Sequence, residues 1–299
     1  MKLLISPAKK MREDGDFLAP RQAPALLERA RVLADWLRGL DYPALKKLLS
    51  CNDAIAELNF RRYQEMDFGR ANTPALLAYD GIQYQYMAPQ LFTAEQFAYV
   101  EAHLRILSGL YGVLRPFDGV TPYRLEMGAR LKTPFCKSLY DFWGDGLYRA
   151  LTADGTDTLV NLASEEYARA VRPWVSPPVR WIHVVFGELD GKRLVEKGVY
   201  VKMARGEMVR FLAPCYITYI LIELLTGAIR GAGKSVGPML IDVFGVCGLR
   251  LAWLFLVVPV HHTLTVVMFS YPITWTVTSV ALLIYYFFGR WLKEPSPAP

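Results

Sequence analysis

The chain has 299 residues, 34 basic against 28 acidic side chains, and a net charge of +6. A surplus that mild does not by itself call for a nucleic-acid partner, and the length admits one large domain or two. The four cysteines, Cys51, Cys136, Cys215 and Cys247, lie far apart and form no CxxC or metal-like cluster. Reduced structural thiols are expected, with no metal centre and no cofactor.

The charges are unevenly spread. Residues 214–299 carry only Arg230, Lys234, Arg250, Arg290 and Lys293 against Glu223, Asp242 and Glu294, a surplus of two that leaves four for residues 1–213. Residues 1–213 read as a soluble α/β domain, and residues 214–299 as a membrane segment.

In chain order, Lys2–Ile5 reads as a buried strand, its apolar run too short for a signal peptide. Ser6 and Pro7 suit a helix start, and Lys9 and Lys10 follow at once. A lysine there suits an anion near helix amides, or is an ordinary surface residue. Helices are predicted over residues 23–38, 42–50 and 53–66, and a strand over 75–79. In residues 81–87 tyrosines alternate with amides, as on a strand edge or as a stacking surface for bases.

Phe97, Val100, Leu104 and Leu107 recur at helical spacing, which predicts a helix from Ala94 to a stop at Gly109. Gly109 and Gly112, with Arg105, Arg115, Arg124 and Arg130 around them, could cradle a phosphate or form a buried helix–turn junction. A helix over residues 138–151 and a strand over 157–163 follow. Ser164 then caps a helix with Glu165 and Glu166 in its first turn, either as dipole partners or as catalytic acids. Strands at 183–189 and 193–196 form a hairpin through Asp190-Gly191-Lys192, and a further strand at 199–203 leads into a basic cluster of Lys202, Arg205 and Arg210. No serine elbow, HExxH or GxGxxG appears. The run Gly227–Ser235 has one residue too many for a phosphate-binding P-loop.

Five segments occur together in order: Ile5–Lys9 (ISPAK), Leu107–Pro116 (LSGLYGVLRP), Tyr123–Met127 (YRLEM), Asn161–Tyr167 (NLASEEY) and Lys202–Phe211 (KMARGEMVRF). With these, residues 1–213 resemble the bacterial YaaA family of peroxide-stress proteins, and the resemblance stops after Leu212. It implies an α/β fold of YaaA type, a mixed sheet with surrounding helices and a helix-hairpin-helix-like element. It also implies a cytoplasmic, DNA-binding protein that keeps free iron low and so limits oxidative DNA damage. Carried onto this chain, Gly109 and Gly112 would be the hairpin turn, with Arg105, Arg115 and Arg124 as phosphate partners. Lys9, Arg205 and Arg210 would extend the surface toward the DNA backbone, with little sequence specificity. An enzyme reading of the same domain rests on a polar cluster of Lys9, Tyr123, Glu126 and Glu166.

Residues 214–299 hold three apolar spans, about 215–229, 238–260 and 264–288, which predict a three-helix transmembrane segment that ties the chain to a membrane. Asp242 and Arg250 are its intramembrane polar candidates. Gly227–Met239, Phe244–Arg250 and Ser270–Trp275 resemble the last three helices of MATE multidrug efflux transporters. Three helices cannot supply the two lobes such a transporter needs. The Lys and Arg distribution puts the first loop and the tail in the cytosol, and so residue 213 outside, in conflict with a cytoplasmic domain. An accidental fusion of the two pieces is the expectation.

Overall fold

The computed structural model describes residues 1–13, 17–190, 193–196, 198–231, 236–260 and 264–288. The Gly191-Lys192 turn, residues 232–235 of the near-miss P-loop, the His261-His262 loop and the tail with Arg290 and Lys293 lie outside them. The chain divides into two compact units, Met1–Glu207 and Met208–Pro299. The helix Gly198–Gly231 runs across the division.

The first unit is built on a five-stranded sheet of β1 (Lys2–Ile5), β2 (Leu104–Ser108), β3 (Gly112–Leu114), β4 (Thr158–Asn161) and β5 (Arg180–His183). Their order is β3-β2-β1-β4-β5. β1 pairs in parallel with β2, Leu3 opposite Leu104, and with β4, Leu3 opposite Val160. β5 continues the parallel set, and β3 folds back antiparallel on β2. All four residues of β1 are buried, the unbroken pattern of a strand covered on both faces.

The surrounding helices form for reasons the sequence supplies. Leu27–Arg38 buries Ala30, Leu33, Ala34 and Leu37 along one stripe. Asp41 caps Tyr42–Leu49 and Asn52 caps Asp53–Glu65, each side chain accepting from an amide of the first turn. Thr93 and Gln96 form a reciprocal capping box at the start of Ala94–His103.

That last helix ends at His103, six residues before Gly109, because Leu104–Ser108 joins the sheet instead. A short apolar run fits a buried strand as well as a helix, and here pairing with β1 decides it. Where a helix-hairpin-helix-like element was expected around Gly109 and Gly112 the chain forms a β-hairpin, and no helix lies between His103 and Leu139. Its turn is interior: Leu110 and Tyr111 are fully buried, and Tyr111 donates its amide to Ser108 Oγ at 2.8 Å. A Cβ on Gly109 would lie 2.3 Å from the Leu125 carbonyl oxygen. Gly112 has φ +75° and lies against Trp143, Leu147 and Leu26. Both glycines serve close packing, not an exposed phosphate cradle.

Other elements differ from expectation: no helix starts at Ser6-Pro7, the strand expected at 183–189 is split between Arg180–His183 and Glu188–Asp190, and the helix expected over 138–151 is split into Leu139–Trp143 and Gly146–Thr152. Residues 75–78 form a short helix, with a strand only at Tyr79–Asp80. Ile82–Met87 is a helix, so its tyrosines do not line a strand edge. Residues 199–203 belong to the long helix from Gly198.

In the second unit, a helical run from Val236 to Leu256 contains a π-helical stretch at Val243–Gly248, and Leu264–Phe288 forms one further helix. Among the described residues, Val236–Leu256 and Phe269–Phe288 are long and apolar enough to cross a membrane. The expected span at 215–229 is instead the C-terminal part of the long helix. Ile222, Leu225 and Leu282 pack together, while Phe244, Phe255, Leu256 and Phe287 face outward. Asp242 accepts from Thr226 Oγ1 at 3.2 Å and pairs with Arg230 at 3.9 Å. Arg250 donates to Thr274 Oγ1 at 3.1 Å and lies over the Tyr271 ring. Each thus takes partners from another helix.

Replacing Gly109 with Ala forces the hairpin turn off the Leu125 carbonyl and destabilises the chain by about 1–3 kcal/mol. A lowered urea midpoint at unchanged slope is the expected result; an unchanged midpoint would show that the turn has room to spare.

Candidate functional site

β1 and β4 run side by side in parallel, but the next strands of the sheet lie on opposite sides of this pair, β2 beyond β1 and β5 beyond β4. After Ile5 the chain turns through Ser6–Lys10, and after Asn161 through Ser164 into the helix Glu165–Ala168. Crevices at such a switch in strand order are where open α/β sheets bind ligands. The floor of this one is a direct contact: Ser6 Oγ accepts the Ser164 amide at 2.8 Å and lies 3.2 Å from Ser164 Oγ. Ser164 therefore starts the helix by position while its hydroxyl serves the floor and makes no cap.

A cavity of about 480 Å³ opens above this floor. Its walls come from Ser6–Lys10, from the Asp80–Tyr84 segment, from Tyr123–Glu126, from the Ser164–Tyr167 turn, and from Lys202 and Arg205 of the long helix. That helix comes close because it has Gly206, where a Cβ would sit 2.2 Å from the Gln83 carbonyl oxygen.

Charges in the cleft are arranged in pairs. The Glu126 carboxylate takes Lys9 Nζ at 2.6 Å on one oxygen and Arg124 Nη2 at 3.1 Å on the other. Lys10 bonds Asp80 at 2.7 Å and holds that carboxyl below its ordinary range. Glu166 accepts the Gly128 amide at 2.7 Å. Arg205 is 9% exposed, and burial pulls its guanidinium pKa down. Below the cleft, Tyr123 OH joins Ser108 Oγ at 2.6 Å and Tyr79 OH at 2.9 Å. Burial pushes the Tyr123 phenol pKa up, so this hydroxyl stays protonated as a hydrogen-bond donor.

The residues singled out in the sequence separate into groups. Lys9, Arg124 and Arg205 line the cleft, and so do all four members of the proposed polar cluster, Lys9, Tyr123, Glu126 and Glu166. Arg105 is half-buried and donates to the carbonyls of Glu101 and Leu104. Arg115 clasps the fully buried Asp118 through its amide and its Nε, both at 2.9 Å, and reaches the Ala23 carbonyl. Both arginines are tied into the fold. Arg210 is exposed on the second unit. Glu165 pairs with Arg172 on the surface. Ser6, Asp80, Gln83, Tyr84 and Ser164 line the cleft without having been singled out as a site; only the Ser6 and Ser164 turns marked their neighbourhood. Among the described residues no three His, Cys, Asp or Glu side chains come together as a metal site.

The family model for peroxide stress protein YaaA matches residues 1–223, ten residues past the end of the resemblance read from motifs. A UPF0246 protein of Desulfitobacterium hafniense is 59% identical over 213 residues, covering 71% of this chain and 84% of the relative. UPF0246 proteins of Agathobacter rectalis and Lactiplantibacillus plantarum are each 48% identical over 71% of this chain, and over 85% and 86% of their own lengths.

Tyr123→Phe removes the hydroxyl shared by Ser108 and Tyr79 and leaves two buried groups short of a partner. A loss of about 1–2 kcal/mol is expected, read as a melting temperature lower by roughly 2–8 °C. An unshifted melt would mean that the network contributes nothing to stability.

Proposed function

Because the chain belongs to the YaaA family of peroxide-stress proteins, we propose that it acts in the peroxide response as a cytoplasmic, DNA-associated protein. In this reading it keeps free iron low and so limits oxidative DNA damage. Its working surface is the basic cleft at the ends of β1 and β4. The observation that carries this reading is the convergence of Lys9, Lys10, Arg124, Lys202 and Arg205 on one cavity at the point where the strand order switches. Lys9, Lys10 and Lys202 are exposed at its rim, where they can follow a phosphate backbone. Arg105 and Arg115 take no part, being held by the fold.

A catalytic reading of the same cleft is favoured by one observation, the presence of Lys9, Tyr123, Glu126 and Glu166 on its walls. Tyr123 would donate a proton or hydrogen bond, and the carboxylates would act as bases. Residues 214–299 are read as a MATE-like membrane tail fused to the family domain. The length and apolar character of Val236–Leu256 and Phe269–Phe288 support it.

DNA affinity of the full chain in detergent is expected to fall steeply with salt and about equally across sequences. Lys9→Ala and Lys202→Ala should each flatten the slope by about 0.9. Arg115→Ala should instead lower stability by about 1–3 kcal/mol and leave the slope of the folded protein unchanged. Binding that ignores salt, or slopes unmoved by both lysine changes, would remove the cleft from the DNA reading. For the tail, the full chain should float with phospholipid vesicles and resist extraction at alkaline pH; recovery in the soluble fraction would rule insertion out.

A further inference from the structure

Three residues on the cleft walls carry hydrogen-bond donors that no described residue satisfies. Gln83 Nε2, Arg124 Nε and Arg205 Nε are buried and have no acceptor among the described residues, and all three residues line the cavity. Gln83 is 6% exposed and Arg205 9%. Buried donors without acceptors are rare in folded proteins and point to a missing partner. Three on one cavity call for a group rich in acceptor oxygens.

The charges narrow that group further. Five cations, Lys9, Lys10, Arg124, Lys202 and Arg205, face three carboxylates, Asp80, Glu126 and Glu166, a surplus of two positive charges. A phosphodiester inside a DNA strand has one negative charge and two free oxygens. A phosphomonoester has a charge of about −1.5 to −2 near neutral pH and three strong acceptor oxygens. The monoester answers both the charge and the donors. A cavity of about 480 Å³ also suits one nucleotide, within the range of small-molecule sites and too small for a duplex.

We propose that the cleft is a terminal-phosphate site, which takes the phosphomonoester of a mononucleotide or of a DNA strand end. The strand-end source rests on the DNA reading given above; the free nucleotide does not. Arg205 and Gln83 hold the phosphate at the inner wall, and Lys202 closes on it from the rim. Radical attack on deoxyribose breaks strands and leaves phosphate-bearing ends, so a site of this kind suits a protein that acts on DNA under peroxide.

The test uses the full chain in detergent and a labelled single-stranded oligonucleotide with phosphate at its 5′ end, its 3′ end, or neither. Nucleoside monophosphate and inorganic phosphate serve as competitors. Binding at least about tenfold tighter to one phosphate-ended strand, displaced by both competitors, is the expected result. Gln83→Ala and Arg205→Lys should abolish the preference. If either fails to fold, Lys202→Gln on the exposed rim and the displacement by inorganic phosphate still decide the matter. Equal binding of all three strands without displacement overturns the terminal-phosphate site and leaves the DNA reading standing. Binding of nucleoside monophosphate that depends on Lys202, with no strand bound, upholds the site and overturns the DNA reading. A folded chain that binds none of these probes overturns both.

Discussion

Everything in the first unit depends on β1 having a parallel neighbour on each side. Strands buried on both faces can lengthen only at their ends, so what differs between them is where the chain goes next. From β1 the sheet continues to β2 on one side and from β4 to β5 on the other, and the cleft lies at this switch, lined by the turns that follow Ile5 and Asn161. The Ser6–Ser164 contact fixes its floor. Tyr84 adds a second tie by donating its hydroxyl to the Ser6 carbonyl at 3.0 Å. The floor of the site is thus set by turns just beyond the sheet ends, held by side-chain hydrogen bonds of Ser6, Ser164 and Tyr84.

Arg105 and Arg115 show how a fold commits cations to its own groups. Asp118 is fully buried, and burial pushes its carboxyl pKa up while Arg115 opposes the shift. An isolated carboxylate at that depth would be costly, so Arg115 is committed to it. Arg105 donates from Nη1 to the carbonyls of Glu101 and Leu104. Arg205 is different, since burial lowers its pKa and one of its nitrogens has no described acceptor.

Much of this was legible in the sequence. The β1 strand, the Leu27–Arg38 stripe, the two capped helices and the β4 strand follow from local pattern, and the five motifs marked the family. The glycine pair stayed open between a phosphate cradle and a buried junction because spacing alone does not separate an exposed turn from a buried one. Leu110 and Tyr111 are apolar, yet only the packing of Trp143 and Leu147 against Gly112 shows that the turn points inward. The helical propensity of residues 82–87 was hidden by alternating tyrosines, and that helix carries Gln83 and Tyr84 into the cleft. Four residues proposed as a polar cluster did converge, although they come from three separate turns. Each lies in a segment that follows a sheet strand or its hairpin, so their convergence follows from topology and not from spacing.

The pairing of charges in the cleft sets how any anion must enter. Lys9 and Arg124 share Glu126, and Lys10 is bonded to Asp80, so these three cations already have partners. An incoming phosphate replaces a carboxylate on each of them, and such an exchange yields less than a new contact would. Lys202 and Arg205 have no salt bridge among the described residues, and Arg205 has only the more distant attraction of the Glu196 carboxylate. Affinity in this cleft therefore rests chiefly on the long helix, while Lys9, Lys10 and Arg124 keep the cavity open and correctly charged when it is empty. The Gly206 contact with Gln83 brings that helix to the cleft, which gives the Ala-Arg-Gly segment a physical reason to occur as a unit.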